Sequence, residues 1–401
     1  MAAWEKIQEG DIRNATFWYS FFVKRAKVNK ISPEAFEPVR PRCICGVSDA
    51  VKAASGPWFL ARNDALKLEW HPLNVVWFAC GYVAEDFGLW GDIVTNLWPH
   101  YLIISADYSK FDATQWKEIQ EGHVWKYLED GFAETVPFFK EVLRSFLYVK
   151  AFGKGIKSEY HYRMQSGRPD TCSGNSETTG EMGYSFFAYY MKLIDFRIGV
   201  QGDDKVIAVN RIAFLEAFGS VERFIRLYTK HSENAGLKVK ISVVDDIVEA
   251  DFLSCRWYMT RKGYKFGKKP GRTLAKIGWF LHSERNEAHW RQIFHGTLLS
   301  MLNTSMHVPF LRVYVSRMLK WCVEKGIGVK EPDDLQYKIQ GRYEWVVDET
   351  TWIGFEKVYS LGQSDEDAFA QKLEAAIGRY GVPCMMDMDL LGHLVTVDSG
   401  L

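Results

Sequence analysis

The order of apolar and polar positions along the chain predicts short strands among several helices. Residues 101–106 (Tyr-Leu-Ile-Ile-Ser-Ala) form an apolar run, which predicts a short buried strand ending at Asp107. Residues 197–209 contain two β-type runs around a Gly-Asp-Asp turn, the pattern of a hairpin. Residues 252–267 predict a second hairpin, with Lys262-Gly263 at its tip.

Helical spacing dominates most of the remaining chain. Residues 115–150, 175–195 and 213–236 predict helices, and helical spacing returns from about residue 284 onward. A chain of 401 residues is long enough for a large core divided among two or three subdomains. Its 47% apolar and 25% charged residues exclude a disordered tail, a collagen-like fibre and a coiled-coil rod.

Charge is balanced overall but uneven locally. The 50 Lys and Arg residues cancel the 50 Asp and Glu residues. Residues 251–280 nevertheless hold eight basic residues and one acid, whereas 344–374 hold eight acids and two lysines. A neutral protein that binds nucleic acid must concentrate its positive charge in this way. The acidic segment is equally compatible with a solvated surface.

Cysteine usage and hydropathy bear on the compartment. The seven cysteines form no C-x-x-C pair, which predicts free thiols in a reducing compartment. The longest apolar run, 74–84, is too short to span a bilayer. We therefore expect no transmembrane segment in this chain. Membrane association would then come from a partner or from a segment absent here.

Three short motifs follow one another along the chain. The first is D-x-x-x-x-D, with Asp107 at the end of the predicted strand and Asp112 five residues later. Carboxylates at a strand terminus suit a divalent cation, because hard cations prefer oxygen ligands. Alone this motif is uninformative, since roughly one such pair is expected by chance in a chain of this length.

The second motif is S-G-x-x-x-T-x-x-x-N, formed by Ser166, Gly167, Thr171 and Asn175. Its glycine allows an unusual backbone turn, and its polar side chains then lie near one helix face, within reach of a sugar hydroxyl or a phosphate. The third motif is the Gly-Asp-Asp turn, which taken alone predicts only a hairpin. The second and third motifs occur together by chance in roughly one chain in a thousand or fewer.

With these motifs in this order, the chain resembles the catalytic domain of the RNA-dependent RNA polymerases of positive-strand RNA viruses. The three motifs resemble polymerase motifs A, B and C. The fingertip motif F resembles Arg40-Pro41-Arg42-Cys43-Ile44, and motif D resembles Gly236-Leu237-Lys238-Val239-Lys240. Motif E resembles Phe252-Leu253-Ser254-Cys255. The stretch that follows motif E in the tombus- and noda-like group resembles Lys269-Pro270-Gly271-Arg272.

The resemblance implies an α+β fold shaped as a right hand, with an antiparallel palm sheet backed by helices. Fingers would take residues 1–100, with motif F near 40–52, and re-enter at 116–163. The palm would take 101–115 and 164–258. The thumb would take 259–401.

The resemblance also implies a two-metal nucleotidyl transfer. Asp107, Asp203 and Asp204 would hold two Mg²⁺ ions, for which Mn²⁺ can substitute. Lys240 would be the general acid for the leaving pyrophosphate, with Lys238 as the open alternative. The remaining implied contacts are with nucleotide (Arg40, Arg42, Asp112, Ser166, Thr171, Asn175) and with RNA (Lys268, Lys269, Arg272, Lys276).

The implied partners are an RNA template, nascent RNA, ribonucleoside triphosphates and other viral replication proteins. The implied location is the host cytoplasm, within membrane-associated replication complexes. Two other functions stay open: a reverse transcriptase-like polymerase, and a non-catalytic RNA-binding protein on a decayed polymerase fold. Asn175 and Asp112 argue against the former, and the retained Asp107 and Asp203 argue against the latter.

Overall fold

The computed structural model describes residues 5, 17–23, 43–153, 155–278, 286–329, 347–380 and 388–399. Arg40 and Arg42, the predicted triphosphate contacts, lie outside these residues. The chain mixes α-helices with mixed β-sheets, so the mixed α and β content expected from the sequence is confirmed.

The strands are β1 (Tyr19–Val23), β2 (Cys43–Val47), β3 (Val76–Phe78), β4 (Tyr101–Tyr108), β5 (Tyr148–Gly153), β6 (Ile156–His161), β7 (Phe196–Gln201), β8 (Asp204–Asn210), β9 (Val239–Val244), β10 (Cys255–Thr260) and β11 (Gly263–Lys268). The helices are α1 (Asp49–Glu69), α2 (Ala84–Leu97), α3 (Phe111–Thr114), α4 (Lys117–Glu129), α5 (Phe132–Thr135), α6 (Phe139–Leu147), α7 (Thr171–Tyr190), α8 (Arg211–Phe218), α9 (Val221–Asn234), α10 (Pro270–Leu274), α11 (Glu287–Ser305), α12 (Leu311–Glu324), α13 (Glu349–Tyr359), α14 (Gln363–Tyr380) and α15 (Met388–Ser399).

The chain divides into two compact units. The described part of the first falls within 17–23, 43–81 and 98–245, and that of the second within 82–97 and 246–399. The first unit holds a four-stranded sheet, in the order β2-β1-β5-β6, and a five-stranded sheet, in the order β3-β7-β8-β4-β9. The second unit holds the hairpin β10–β11 and the C-terminal helices.

The five-stranded sheet carries the core of the first unit. β4 is buried along Leu102, Ile103 and Ile104, as the apolar run predicts. One sheet face packs against α7 and α9 through apolar side chains that include Ile104 and Ile207. The expected antiparallel sheet is wrong in one respect, since β3 pairs with β7 in parallel. A strand of three buried residues shows no alternation from which its pairing could be predicted.

Two predicted helical stretches are interrupted. The predicted helical stretch 115–150 ends at Leu147, where the chain continues as the antiparallel pair β5–β6. The predicted helix 213–236 is two helices, because Gly219 has φ +74° and Ser220 caps α9 by accepting a hydrogen bond from the Arg223 N–H. Both predicted hairpins are confirmed, as β7–β8 and β10–β11, but the second turns at Arg261 and Lys262, because Gly263 already pairs with Thr260. Among the described helices, none has both the length and the apolar composition to cross a bilayer.

Candidate active site

The ends of two neighbouring strands bring together acidic residues that are far apart in sequence. β4 pairs antiparallel with β8 in a register that sets Ala106 opposite Lys205. The next position along this register sets Asp107 opposite Asp204, the first residue of β8. Directly opposed residues in such a pair have Cα atoms about 4.5–5.5 Å apart and project from the same sheet face. The strand pairing therefore brings these two carboxylates together.

Lys240 joins the same sheet face from the other side of β4. It is paired with Asp107 across β4–β9, and both side chains are exposed. Lys238 precedes β9, and its carbonyl accepts a hydrogen bond from the Ser109 N–H at 2.8 Å. The register therefore makes Lys240 the direct cross-strand neighbour of Asp107.

The hairpin tip is held by α7. The turn between β7 and β8 consists of Gly202, with φ +66°, and the exposed Asp203. The Gly202 N–H donates to Ser176 Oγ at 2.7 Å, and the Gly202 carbonyl accepts from Thr179 Oγ1 at 3.0 Å. Two helix hydroxyls thus fix the turn that presents Asp203. Sequence reasoning missed both, although a run of small polar residues inside a helix marks a buried polar contact.

The second aspartate of motif A meets the asparagine of motif B. Asn175 Nδ2 donates to Asp112 Oδ1 at 2.7 Å. Asn175 Oδ1 in turn accepts a hydrogen bond from Gln115 Nε2 at 2.6 Å. Asn175 is buried, so both polar ends of its amide have defined partners. The structure thus brings Asp112 and Asn175 into direct contact, whereas Gln115 was not predicted.

A chain of buried polar groups continues from Gln115. Gln120 donates to Gln115 Oε1 at 2.6 Å, and Arg168 donates to Gln120 Oε1 at 2.7 Å. The Arg168 guanidinium also pairs with Asp170, to which Tyr127 donates at 2.8 Å. Burial alone would raise the pKa of Asp170, but the charge and hydrogen bonds of Arg168 outweigh burial and hold that pKa below its usual value.

The loop before α7 lies against strand β2. Ser166 Oγ accepts a hydrogen bond from the Cys45 N–H at 3.3 Å, and Gly167 forms a bridge with Gly46. A Cβ on Gly167 would lie 2.3 Å from the Cys45 carbonyl oxygen, so only glycine fits here. Thr171 donates to the carbonyls of Gln165 and Arg168 at 2.6 and 2.9 Å, which fixes the loop.

A buried lysine lies on the helix side of the same strands. Lys205 follows Asp204 directly and is 1% exposed. Its ammonium donates to the Tyr108 hydroxyl at 2.8 Å, to the Thr179 carbonyl at 3.1 Å and to the Tyr228 hydroxyl. Burial lowers the pKa of Lys205. Since side chains alternate along a strand, Lys205 lies on the opposite face from Asp107 and Asp204.

The donor chemistry of this strand end suits a divalent metal, and the donor set is incomplete. Carboxylates are the ligands that Mg²⁺ prefers. Within the part of the chain that the structure describes, no group of three or more His, Cys, Asp and Glu side chains is close enough to hold a metal ion. Asp107 and Asp204 lie at the ends of adjacent strands, with Asp203 beside them on the turn.

The predicted RNA contacts lie in the second unit. Lys268 and Arg272 are partly exposed, and the positive charge of Arg272 contributes to lowering the pKa of Lys276, behind the larger effect of burial. Lys269 is 2% exposed. Its ammonium pairs with the Asp251 carboxylate and donates to the Asp398 carbonyl at 2.9 Å. These partners hold the Lys269 side chain inside the second unit.

No protein-family model matches the chain, and no curated protein is similar to it in sequence.

Proposed function

We propose that the protein is an RNA-directed RNA polymerase of a positive-strand RNA virus, which copies an RNA template from ribonucleoside triphosphates. The observation that supports this most directly is the register that brings Asp107 beside Asp204. The Asn175–Asp112 hydrogen bond supports it independently, since it joins the second aspartate of motif A to motif B.

The architecture that goes with this proposal is a right hand. The five-stranded sheet, with α7 and α9 behind it, would be the palm. The sheet β2-β1-β5-β6 would belong to the fingers, and the helices after residue 259 would form the thumb. The position of β2 supports the finger assignment, because the strand begins at Cys43, within the fingertip motif.

The proposed reaction is an in-line attack of a primer 3′-hydroxyl on the α-phosphate of a nucleotide, with pyrophosphate leaving. Asp107, Asp203 and Asp204 would hold two Mg²⁺ ions. When bound, such ions stabilise the charge that develops on the attacking and leaving oxygens. Lys240, next to Asp107, would donate a proton to the leaving pyrophosphate. Arg40 and Arg42 would neutralise triphosphate charge.

Selection of ribonucleotides would fall to Asp112 and Asn175. A carboxylate accepts several hydrogen bonds, so Asp112 could accept from the ribose 2′-hydroxyl as well as from Asn175, whose amide carries two N–H groups. Because Gln115 occupies Asn175 Oδ1, the amide presents its nitrogen, and not its oxygen, towards Asp112. A site built around such donors and acceptors discriminates against a sugar that lacks the hydroxyl.

Primer extension tests the function. Purified protein is given an RNA primer–template, Mg²⁺ and ribonucleoside triphosphates, and wild type is compared with Asp203→Asn. We expect extension by the wild type and a loss of about 10³-fold or more in the variant, since electrostatic stabilisation of the transition state is removed. Asp245→Asn is the matched control, because Asp245 is an exposed carboxylate of the same unit that pairs with Arg211 at 3.0 Å.

The same assay separates the rival functions. A reverse transcriptase-like enzyme would incorporate deoxynucleotides at least as well as ribonucleotides. A non-catalytic protein would bind the RNA without extending it. Full extension by Asp203→Asn would remove the proposed metal assignment.

A further inference from the structure

The buried ammonium of Lys205 lies directly behind the strand ends that carry the paired aspartates. Lys205 is paired with Ala106 across β8 and β4, and Tyr108 lies two positions along β4 on the same sheet face. A long side chain can span such a diagonal separation. The Lys205 ammonium donates to the Tyr108 hydroxyl at 2.8 Å. Because Tyr108 follows Asp107 and Lys205 follows Asp204, this bond joins the same two strand ends on the helix side of the sheet.

The same ammonium is bonded to α7, the helix that holds the hairpin turn. Lys205 donates to the Thr179 carbonyl at 3.1 Å, and the Thr179 hydroxyl donates to the Gly202 carbonyl at 3.0 Å. The side chain runs close to the helix at Gly183, where a Cβ would lie 3.5 Å from the Lys205 nitrogen. Lys205 is therefore linked through Thr179 to the turn that presents Asp203.

The groups around the ammonium are neutral. Its third hydrogen bond goes to the Tyr228 hydroxyl on α9, and its nitrogen lies 4.9 and 5.0 Å from the ring centroids of Tyr108 and Tyr228. Aromatic faces stabilise a cation, but no opposite charge among the three acceptors offsets the cost of burying Lys205. An apolar side chain of similar volume would avoid that cost. Such a costly local arrangement is typical of functional sites.

We propose that Lys205 is a positioning residue of the candidate active site. Its ammonium fixes the ends of β4 and β8 relative to each other and to α7, and thereby sets the spacing of Asp107, Asp203 and Asp204. The proposal rests on the proposed polymerase function, because a two-metal reaction depends on how these carboxylates are spaced. Lys205 itself acts only through its neighbours, from the opposite sheet face.

Lys205→Met separates positioning from stability. Methionine is similar in length and carries no charge. The hydroxyls of Tyr108 and Tyr228 lie 3.3 Å apart and can donate as well as accept, so they can bond to each other and to the Thr179 carbonyl once the ammonium is gone. We expect the free energy of unfolding in urea to equal or exceed that of the wild type. We expect kcat for primer extension to fall by about 10²-fold, the cost of misplacing reacting groups by about 1 Å.

A purely structural role predicts the opposite result for Lys205→Met. The free energy of unfolding would fall, and kcat of the folded protein would stay at the wild-type value. That result would overturn the proposal.

Amide hydrogen exchange of the metal-free protein gives a measurement that does not depend on catalysis. In Lys205→Met we expect the amides of 201–204 and 106–109 to exchange about 10-fold faster, since a hydrogen-bonded anchor is lost. The amides of β5–β6, in the other sheet of the same unit, should keep the wild-type rate. Unchanged exchange at the turn would overturn the proposal. Failure of the wild type to extend a primer would instead count against the polymerase function, and exchange would still measure the positioning.

Two tyrosines provide a matched pair of variants, which also decide the matter if Lys205→Met does not fold. Tyr108→Phe and Tyr228→Phe each remove one buried hydroxyl that accepts from Lys205. Only Tyr108 lies on β4, directly after Asp107. At similar free energies of unfolding, we expect kcat to be about 10-fold lower in Tyr108→Phe than in Tyr228→Phe. Equal kcat values would show that Lys205 and its tyrosines serve packing alone.

Discussion

The side-chain amide of Asn175 is fixed at both ends, with Nδ2 donating to Asp112 at 2.7 Å and Oδ1 accepting from Gln115 at 2.6 Å. Asp112 and Gln115 lie in motif A and just after it, whereas Asn175 lies in motif B. An amide held in this way can present only one face to a ligand. Its orientation is the basis of the first two predictions.

Asn175→Ala should lower the preference for ribonucleotides over deoxynucleotides. The substitution removes one donor to the proposed 2′-hydroxyl, so we expect the ratio of the two kcat/KM values to fall by about 10- to 100-fold, or about 1.4–2.8 kcal/mol. Asp112→Ala should act in the same direction. Single-nucleotide incorporation kinetics with both sugar types measure the ratio. Ser185→Ala, an exposed hydroxyl on the same helix, is the control. An unchanged ratio in both variants would remove the pair from sugar selection.

Gln115→Glu should weaken discrimination without touching the nucleotide. The change replaces the amide donor by a carboxylate oxygen, which repels Asn175 Oδ1 and favours the flipped amide. We expect the preference for ribonucleotides to fall. In Gln115→Met, which removes the donor without adding repulsion, the preference should fall by less. A merely structural role would reduce kcat/KM for both sugars equally. The kinetics of the two sugars therefore distinguish positioning from stability.

Lys268, Arg272 and Lys276 should determine the salt dependence of RNA binding. Neutralising each residue that contacts a phosphate should reduce the slope of log affinity against log salt by about 0.7–0.9. Fluorescence anisotropy with a labelled RNA at several salt concentrations measures the slope. A slope unchanged in the triple Ala variant would show that these residues only face solvent.

Lys269→Ala should behave differently from its neighbours. Its ammonium is bonded to Asp251 and to the Asp398 carbonyl inside the second unit. We expect the free energy of unfolding to fall by about 1–3 kcal/mol, because the buried Asp398 carbonyl loses its donor. The salt slope of RNA binding should stay at the wild-type value. A reduced salt slope with an unchanged free energy of unfolding would show that Lys269 contacts RNA.

Acid should destabilise the second unit through His307. Burial lowers the pKa of this imidazole to about 4, below its usual value near 6.5. The unfolded chain therefore binds a proton between these two pH values and the folded chain does not, so stability rises with pH across this window and is lost as pH falls through it. At pH 5 this lowers the free energy of unfolding by about 2 kcal/mol.

Urea unfolding at pH 7.5 and 5.0 measures the change in the free energy of unfolding between the two pH values. We expect this change to be smaller in His307→Gln than in the wild type. His123 and His231 have pKa shifts of the same sign, so part of the dependence should persist.

The sequence predicted the elements whose residues are close together along the chain. The apolar run before Asp107 became β4, and the two β-type runs around Gly202 became a hairpin. The helix 213–236 was predicted as one, because a single Gly-Ser step is a weak local signal. The short parallel strand β3 was not predicted, since its pairing depends on β7, which lies far away in sequence.

For the candidate site, the sequence alone determined the kinds of side chain, their order and the local turns that present them. Periodicity and turn propensity are local properties, so they can be predicted from the sequence without knowledge of the fold. Tertiary structure decided which of these groups meet: Asp107 with Asp204 and Lys240, and Asn175 with Asp112 and Gln115. Tertiary packing also buried the Lys269 side chain and paired it with Asp251. Strand register and burial cause these outcomes, and both depend on packing between segments that no local pattern relates.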